Sequence, residues 1–248
     1  MASDLDRSSC SPLERREAWA VHLFTASGLV VGMLGLQAVL VDNARMAMIW
    51  LLVTQVIDGV DGPIARALHV EDRLPKIDGY VLDLVIDFVT CVIVPVVFLY
   101  EFNVLGDGPV PLLVCGWIVL TSAIWFSRTD MMTEDHWFRG FPAVWNVVAP
   151  TLYLLDVRGT TAGIIVVVLA LGSLTDFPVP HPVRVVKWRP VTLSVTVIWL
   201  LGMTLDVLWL PERPGPEAAL LVLGPAYFFV IGVVHWAMQR QARTASAS

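Results

Sequence analysis

The stretch IDGVDGPIARALHVEDRLPKIDGYVLDLVID, residues 57–87, decides how the rest of the chain folds. It carries acids at 58, 61, 71, 72, 78, 83 and 87, yet long apolar segments flank it on both sides. An ionised carboxylate at the centre of a bilayer costs about 3 kcal/mol even on insertion-based scales. The spacing sorts these acids. Asp58 and Asp61 are three apart and Asp83 and Asp87 four apart, so each pair shares one face of a helix. Glu71 and Asp72 fall in the stretch between, where water solvates them. Asp78 stands where a side-chain oxygen can cap the second helix.

The composition fits lipid as the solvent. The chain has 248 residues, 56% hydrophobic and 15% charged, against about 25% charged in a typical soluble domain. A net charge of -6 therefore argues for no nucleic-acid partner, and the placement of charge along the chain matters more than its sum. The three cysteines, Cys10, Cys91 and Cys115, show neither disulfide nor zinc spacing. The polar start, MASDLDRSSCSPLERRE, does not read as a cleavable signal peptide.

Eight apolar segments are predicted to span the bilayer, at 18–41, 44–68, 78–101, 109–127, 141–157, 160–176, 190–209 and 217–238. The fold class expected is an all-α integral membrane protein with three regions. Residues 1–17 form a cytoplasmic or interfacial N-terminal segment, 18–238 one transmembrane catalytic domain, and 239–248 a cytoplasmic tail whose final ARTASAS is expected to be disordered. With the N-terminus in the cytoplasm, Arg45, Arg158 and Arg213 fall outside and the other thirteen of the sixteen Lys and Arg fall inside. That bias predicts both termini on the cytoplasmic side. The last two spans hold only Asp206 and His235 near their ends and read as packing helices.

Spans two and three are antiparallel and joined by a short cytoplasmic stretch. At about 1.5 Å rise per residue the two acidic pairs reach similar depths. Four carboxylates then face one another in a pocket one to three turns below the cytoplasmic surface. Such a cluster needs protons or cations, and hard oxygen ligands suit Mg²⁺, Mn²⁺ or Ca²⁺. Gly59, Gly62 and Gly79 leave room for a ligand against the backbone, and Arg66 can bind phosphate. From the residues alone, three readings stay open: a two-metal phosphate site, a proton- or ion-coupled transporter, and ion pairing, although only one Arg serves four acids. Pro63, inside span two, frees the Gly59 carbonyl.

The pattern D58-x-x-D61-G62-x-x-A65-R66, then twelve residues, then G79-x-x-x-D83-x-x-x-D87 resembles the signature of the CDP-alcohol phosphotransferase family. The spacer is longer than is usual there. In this, and in the segment SRTDMMTEDHWFRGFPAVWN at residues 127–146, the chain is similar to the bacterial phosphatidylcholine synthase subgroup, which has eight spans: a six-helix core plus two C-terminal helices. The resemblance implies two divalent cations, Mn²⁺ or Mg²⁺, held by Asp58, Asp61, Asp83 and Asp87, with Asp87 also the general base. It implies CDP contacts from Asp58, Gly62, Ala65, Arg66 and Gly79. Without it, Ala65 is simply a packing residue. The implied reaction joins CDP-diacylglycerol to choline in the bacterial inner membrane and releases CMP. Serine, inositol and glycerol phosphate are the alternative acceptors, and a homodimer is compatible with the family although no interface is legible.

Choline carries a quaternary ammonium, so aromatic faces should recognise it. Trp145 and Asn146, entering span five beside Pro142, and Tyr80 are the residues expected there, although aromatics are enriched at membrane interfaces in any case. The histidines read as solvated or without ligand-spaced partners. Arg184, Lys187 and Arg189 read as headgroup anchors, with a lipid-phosphate role as the alternative, and the sequence assigns no physical role to the run from His181 to Arg184.

Overall fold

Helix α1, Pro12–Leu40, starts where the sequence supplies its own cap: the Ser11 hydroxyl accepts from the Glu14 N–H at 3.2 Å and the Glu14 carboxylate accepts from the Ser11 N–H at 2.7 Å. It runs without a break across residue 17, so residues 12–17 continue into the first span as one helix. The computed structural model describes residues 11–210, 215 and 218–247. Cys10, Arg7 and Arg213, used above, lie outside the described residues.

Asn43 caps α2, Ala44–Ala67, by accepting from the Met46 N–H at 3.0 Å. α2 packs along α1 as the most extensive helix pair. A one-turn helix α3, Val70–Arg73, follows, then α4, Gly79–Glu101, capped by the Asp78 carboxylate as expected from sequence. α4 widens into a π-helical turn at Phe88–Ile93. Pro95, just beyond, lacks the N–H that would bond the Cys91 carbonyl, and the wider turn absorbs that defect. α1 meets α4 through a stripe of glycines. A Cβ on Gly28 would lie 3.1 Å from Ile86, and one on Gly32 would lie 3.0 Å from Thr90. Small residues at this spacing let two membrane helices approach closely.

The remaining helices are α5 (Val110–Phe126), α6 (Trp145–Leu154), α7 (Gly159–Gly172), α8 (Arg189–Trp209) and α9 (Ala218–Ala247). Five helices are long and apolar enough to cross a bilayer: α1, α2, α4, α8 and residues Ala218–Ala242 of α9. α5 has 17 residues and α7 has 14. The fifth predicted span is shorter than expected. α6 has ten residues, reaching about 15 Å, half of a hydrocarbon core. Backbone geometry explains this: Gly140 and Ala143 have φ of +82° and +53°, and Pro142 lies between them. This irregular stretch is tolerated because it is buried in protein, with Ala143 fully buried. A large core joins α2, α4, α5, α6, α7, α8 and α9 around Met48, Phe98, Ile118, Trp145, Met203 and Leu221. Outward-facing apolar side chains, such as Leu113 and Val110, suit contact with lipid.

Two short strands interrupt the helical pattern. β1, Trp137–Arg139, pairs antiparallel with β2, Pro178–Pro180, with Phe138 opposite Val179. α9 presses on this ribbon. His235 stacks on Trp137 at 3.8 Å, and a Cβ on Gly232 would lie 2.5 Å from the Pro178 carbonyl oxygen. α9 therefore braces a specific element rather than serving as filler. α9 also continues through the expected disordered tail, helped by Gln239 bonding His235 and Arg240 lying 4.0 Å over the Trp236 ring.

Candidate active site

The last turns of α2 and the first turns of α4 carry the motif acids, and the fold brings them face to face. Carboxylate oxygens of Asp58, Asp83 and Asp87 all lie within 4.8 Å of one another. Three hard oxygen donors at that separation fit a divalent cation, with further positions left for water or a phosphate oxygen. Asp61 is in electrostatic contact with all three but turns toward α1. There it lies beside Thr25, and it is 5% exposed.

The twelve-residue spacer is what aligns the two pairs. His69, at φ +48°, turns the chain out of α2, and α3 then docks under α1. Val70 and Leu74 are buried against Ala18 and Val21, and Arg73 pairs with Glu17 at 2.8 Å and with Glu14 at 3.9 Å. Glu71 and Asp72 remain exposed, as expected of solvated acids.

The glycines divide into different roles. A Cβ on Gly59 would meet nothing within 4 Å, so that face is open. Gly79 is exposed at the head of α4, and a Cβ there would lie 3.3 Å from His22 Cε1. At Gly62 a Cβ would lie 3.1 Å from Arg66 Nη1 and 3.4 Å from Arg184 Nη2. Ala65 is partly buried and packs against the α1–α3 cluster.

Arg184, expected from sequence as a headgroup anchor or a lipid-phosphate ligand, stands beside the motif acids, which sequence reasoning did not place it near. Its charge acts on Asp58, Asp61 and Asp83, so two arginines, not one, stand beside the acids. The run from His181 to Arg184 acquires a physical role through this. His181 Nδ1 accepts from the N–H groups of Val183 and Arg184 at 3.1 and 3.3 Å, and its ring stacks on Phe138 at 5.1 Å. Burial, then the positive charges of Arg184, His136 and Arg66, push the His181 pKa down to about 4, so the ring is neutral at pH 7 and free to accept. A histidine two prolines into a loop, three residues before an arginine, was the available signal.

The residues expected around choline are not brought together. Trp145 is fully buried, and its Nε1 donates to Ser122 Oγ at 2.9 Å in the main core. The short α6 directs it inward rather than to the acids. Asn146 is 3% exposed and donates to Gln55 Oε1 at 2.7 Å, on α2 one turn before Asp58. Tyr80 is 58% exposed, and its hydroxyl lies 3.4 Å from Met131 Sδ.

Comparison with known proteins gives a consistent result. The family described as CDP-alcohol phosphatidyltransferase matches residues 20–175. A phosphatidylcholine synthase of Pseudomonas aeruginosa is 36% identical over 233 residues, covering 94% of this chain and 97% of that protein. The phosphatidylcholine synthase of Rhizobium johnstonii is 35% identical over 223 residues, covering 90% and 92%. That of Mesorhizobium japonicum is 42% identical over 184 residues, covering 73% and 68%. The chain is therefore a transferase that belongs to the CDP-alcohol phosphatidyltransferase family.

Proposed function

We propose that this chain transfers the phosphatidyl group of CDP-diacylglycerol to choline and releases CMP. The observation that carries the reading is the convergence of Asp58, Asp83 and Asp87 beside Arg66 and the open face at Gly59, in a chain similar over nearly its whole length to phosphatidylcholine synthases. The choline hydroxyl is a poor nucleophile. As its oxygen attacks the lipid-side phosphorus, its proton passes to a carboxylate oxygen of Asp87 and the bond from that phosphorus to the CMP oxygen breaks. No covalent enzyme intermediate is needed. Asp58, Asp61, Asp83 and Asp87 would hold two divalent cations, Mn²⁺ or Mg²⁺. Such cations neutralise charge on a diphosphate and on the leaving nucleotide. Gly62, Ala65, Arg66 and Gly79 are assigned to the CDP side. Tyr80 is assigned to the choline side, and Asn146 acts there through Gln55.

The distribution of Lys and Arg supports a bacterial inner-membrane location with the acids near the cytoplasmic face. CDP-diacylglycerol then keeps its acyl chains in the bilayer while choline arrives from water. The test is an acceptor panel with purified protein, CDP-diacylglycerol and Mn²⁺, read as CMP release. Release with choline alone is the expected result. Release with serine, inositol or glycerol phosphate instead would keep the family chemistry and reject choline. No release with any alcohol, together with ion-coupled choline uptake into vesicles, would favour the transporter reading.

A further inference from the structure

We propose that Arg184, together with Arg66, binds the diphosphate of the nucleotide-activated lipid, so that the donor site is completed by the loop between α7 and α8. This rests on the function proposed above. Both guanidinium groups converge on one backbone position: a Cβ on Gly62 would lie 3.1 Å from Arg66 Nη1 and 3.4 Å from Arg184 Nη2. Two guanidinium groups that close repel unless an anion lies between them. Among the described residues, neither is ion-paired with an acid within 4 Å; the pairs present involve Arg73, Arg128, Arg139 and Arg158 instead. Their donors thus remain available, and paired guanidinium forks are the side chains best suited to phosphate oxygens.

The backbone around Arg184 is held while its side chain is exposed. His181 accepts from the Val183 and Arg184 N–H groups, and Val185 is fully buried against Trp137 and Ile231. A built turn of this kind delivers a side chain to a fixed place. The sign of the charge assigns the substrate. The acceptor is a cation, which Arg184 would repel, whereas the donor carries a diphosphate. Arg184 also lies beyond residues 20–175, the part matched by the family, so it adds to the motif rather than repeating it. The competing role is neutralisation of the acid cluster, which would place its effect on the cations instead.

The experiment compares wild type, Arg184→Gln and Arg184→Lys as purified full-length protein. Equilibrium binding of CDP in the presence of Mn²⁺, Mn²⁺ binding by electron paramagnetic resonance, and the KM for each substrate are measured. Arg184→Gln should weaken CDP binding ten-fold or more and raise the KM for CDP-diacylglycerol similarly. The KM for choline and Mn²⁺ binding should stay within two-fold. Arg184→Lys, which keeps the charge but loses the fork, should fall between and supplies the comparison if the Gln variant melts early. Unchanged CDP binding in both variants would overturn the proposal, as would a loss confined to Mn²⁺ binding or to choline KM. Wild type that neither binds CDP nor releases CMP would instead remove the functional reading itself.

Discussion

Asp87 sits where α4 leaves regular helical geometry, immediately before the π-helical turn, with its carboxylate in the cluster of Asp58 and Asp83. If it accepts the choline proton, Asp87→Asn keeps the shape and removes the proton acceptor. Turnover should then fall by at least about a hundred-fold, the lower end of what a positioned base contributes. Binding of CDP-diacylglycerol should be largely spared. Near-normal CMP release from the variant would exclude Asp87 as the base. His181 gives a second prediction. Its pKa lies near 4 in the fold against an ordinary 6.5, so the unfolded chain takes up a proton that the folded chain refuses. Its contribution is complete above pH 6.5 and is lost progressively as pH falls toward 4, with an upper limit of about 3 kcal/mol. Thermal unfolding of wild type should therefore weaken across that window, and His181→Asn should flatten the dependence. An unchanged slope in the variant would show that other groups carry it. The motif acids were legible because helical spacing is written in sequence. The place of Arg184 was not, because its nearness to Gly62 is set by the docking of a distant loop, and local pattern reads it only as a headgroup anchor or a lipid-phosphate ligand.

At the scale of elements, the short α6 shows where periodicity falls short. Residues 141–157 are apolar enough to span, and hydropathy cannot see that Gly140 and Ala143 take positive φ. Gly140 is fixed there by contact. Its N–H donates to the Phe177 carbonyl at 2.8 Å, and a Cβ would lie 2.8 Å from each of the carbonyl oxygens of Gly172, Ser173 and Thr175. The C-terminal carbonyls of α7, left without helical partners, are approached so closely that only glycine fits. Phe141 N–H caps one of them, bonding the Gly172 oxygen at 3.1 Å. Gly140→Ala adds left-handed strain and a clash with backbone that cannot move independently. A loss of about 3 kcal/mol follows, or a fall in Tm of roughly 6–12 °C for a chain of this size. A melting temperature within 2 °C of wild type would mean that the α7 terminus yields more easily than its hydrogen bonds suggest. The spacer after Arg66 teaches the same lesson from the other side. Its length was countable, but its docking through Val70, Leu74 and Arg73 depends on α1 and could not be read locally.

Across the whole molecule, the two C-terminal helices read as packing helices in sequence, yet α9 connects to Arg184 beside the acids through a short mechanical path. α9 meets β2 at Gly232, β2 ends at Pro180, and the next four residues form the turn that presents Arg184. A methyl group on Gly232 would lie 2.5 Å from the Pro178 carbonyl oxygen and 2.8 Å from the Phe177 ring. The Pro178 carbonyl is backbone and cannot swing aside as a side-chain end can, so the ribbon or the helix must shift. The stack of His235 on Trp137 and the burial of Val185 against Ile231 tie the same helix to both sides of that ribbon. A shift at Gly232 is therefore transmitted to Arg184, whereas Asp58, Asp83 and Asp87 rest on α2 and α4 and stay in place. Gly232→Ala should lower Tm by a few degrees, an overpacking effect of about 1–3 kcal/mol. It should also raise the KM for CDP-diacylglycerol several-fold while Mn²⁺ binding and choline KM hold. If the variant loses stability with every substrate parameter unchanged, α9 braces the fold alone and its link to the donor site is rejected. If Mn²⁺ binding falls as well, the disturbance has reached α2 and α4, and the separation of donor loop from acid cluster fails.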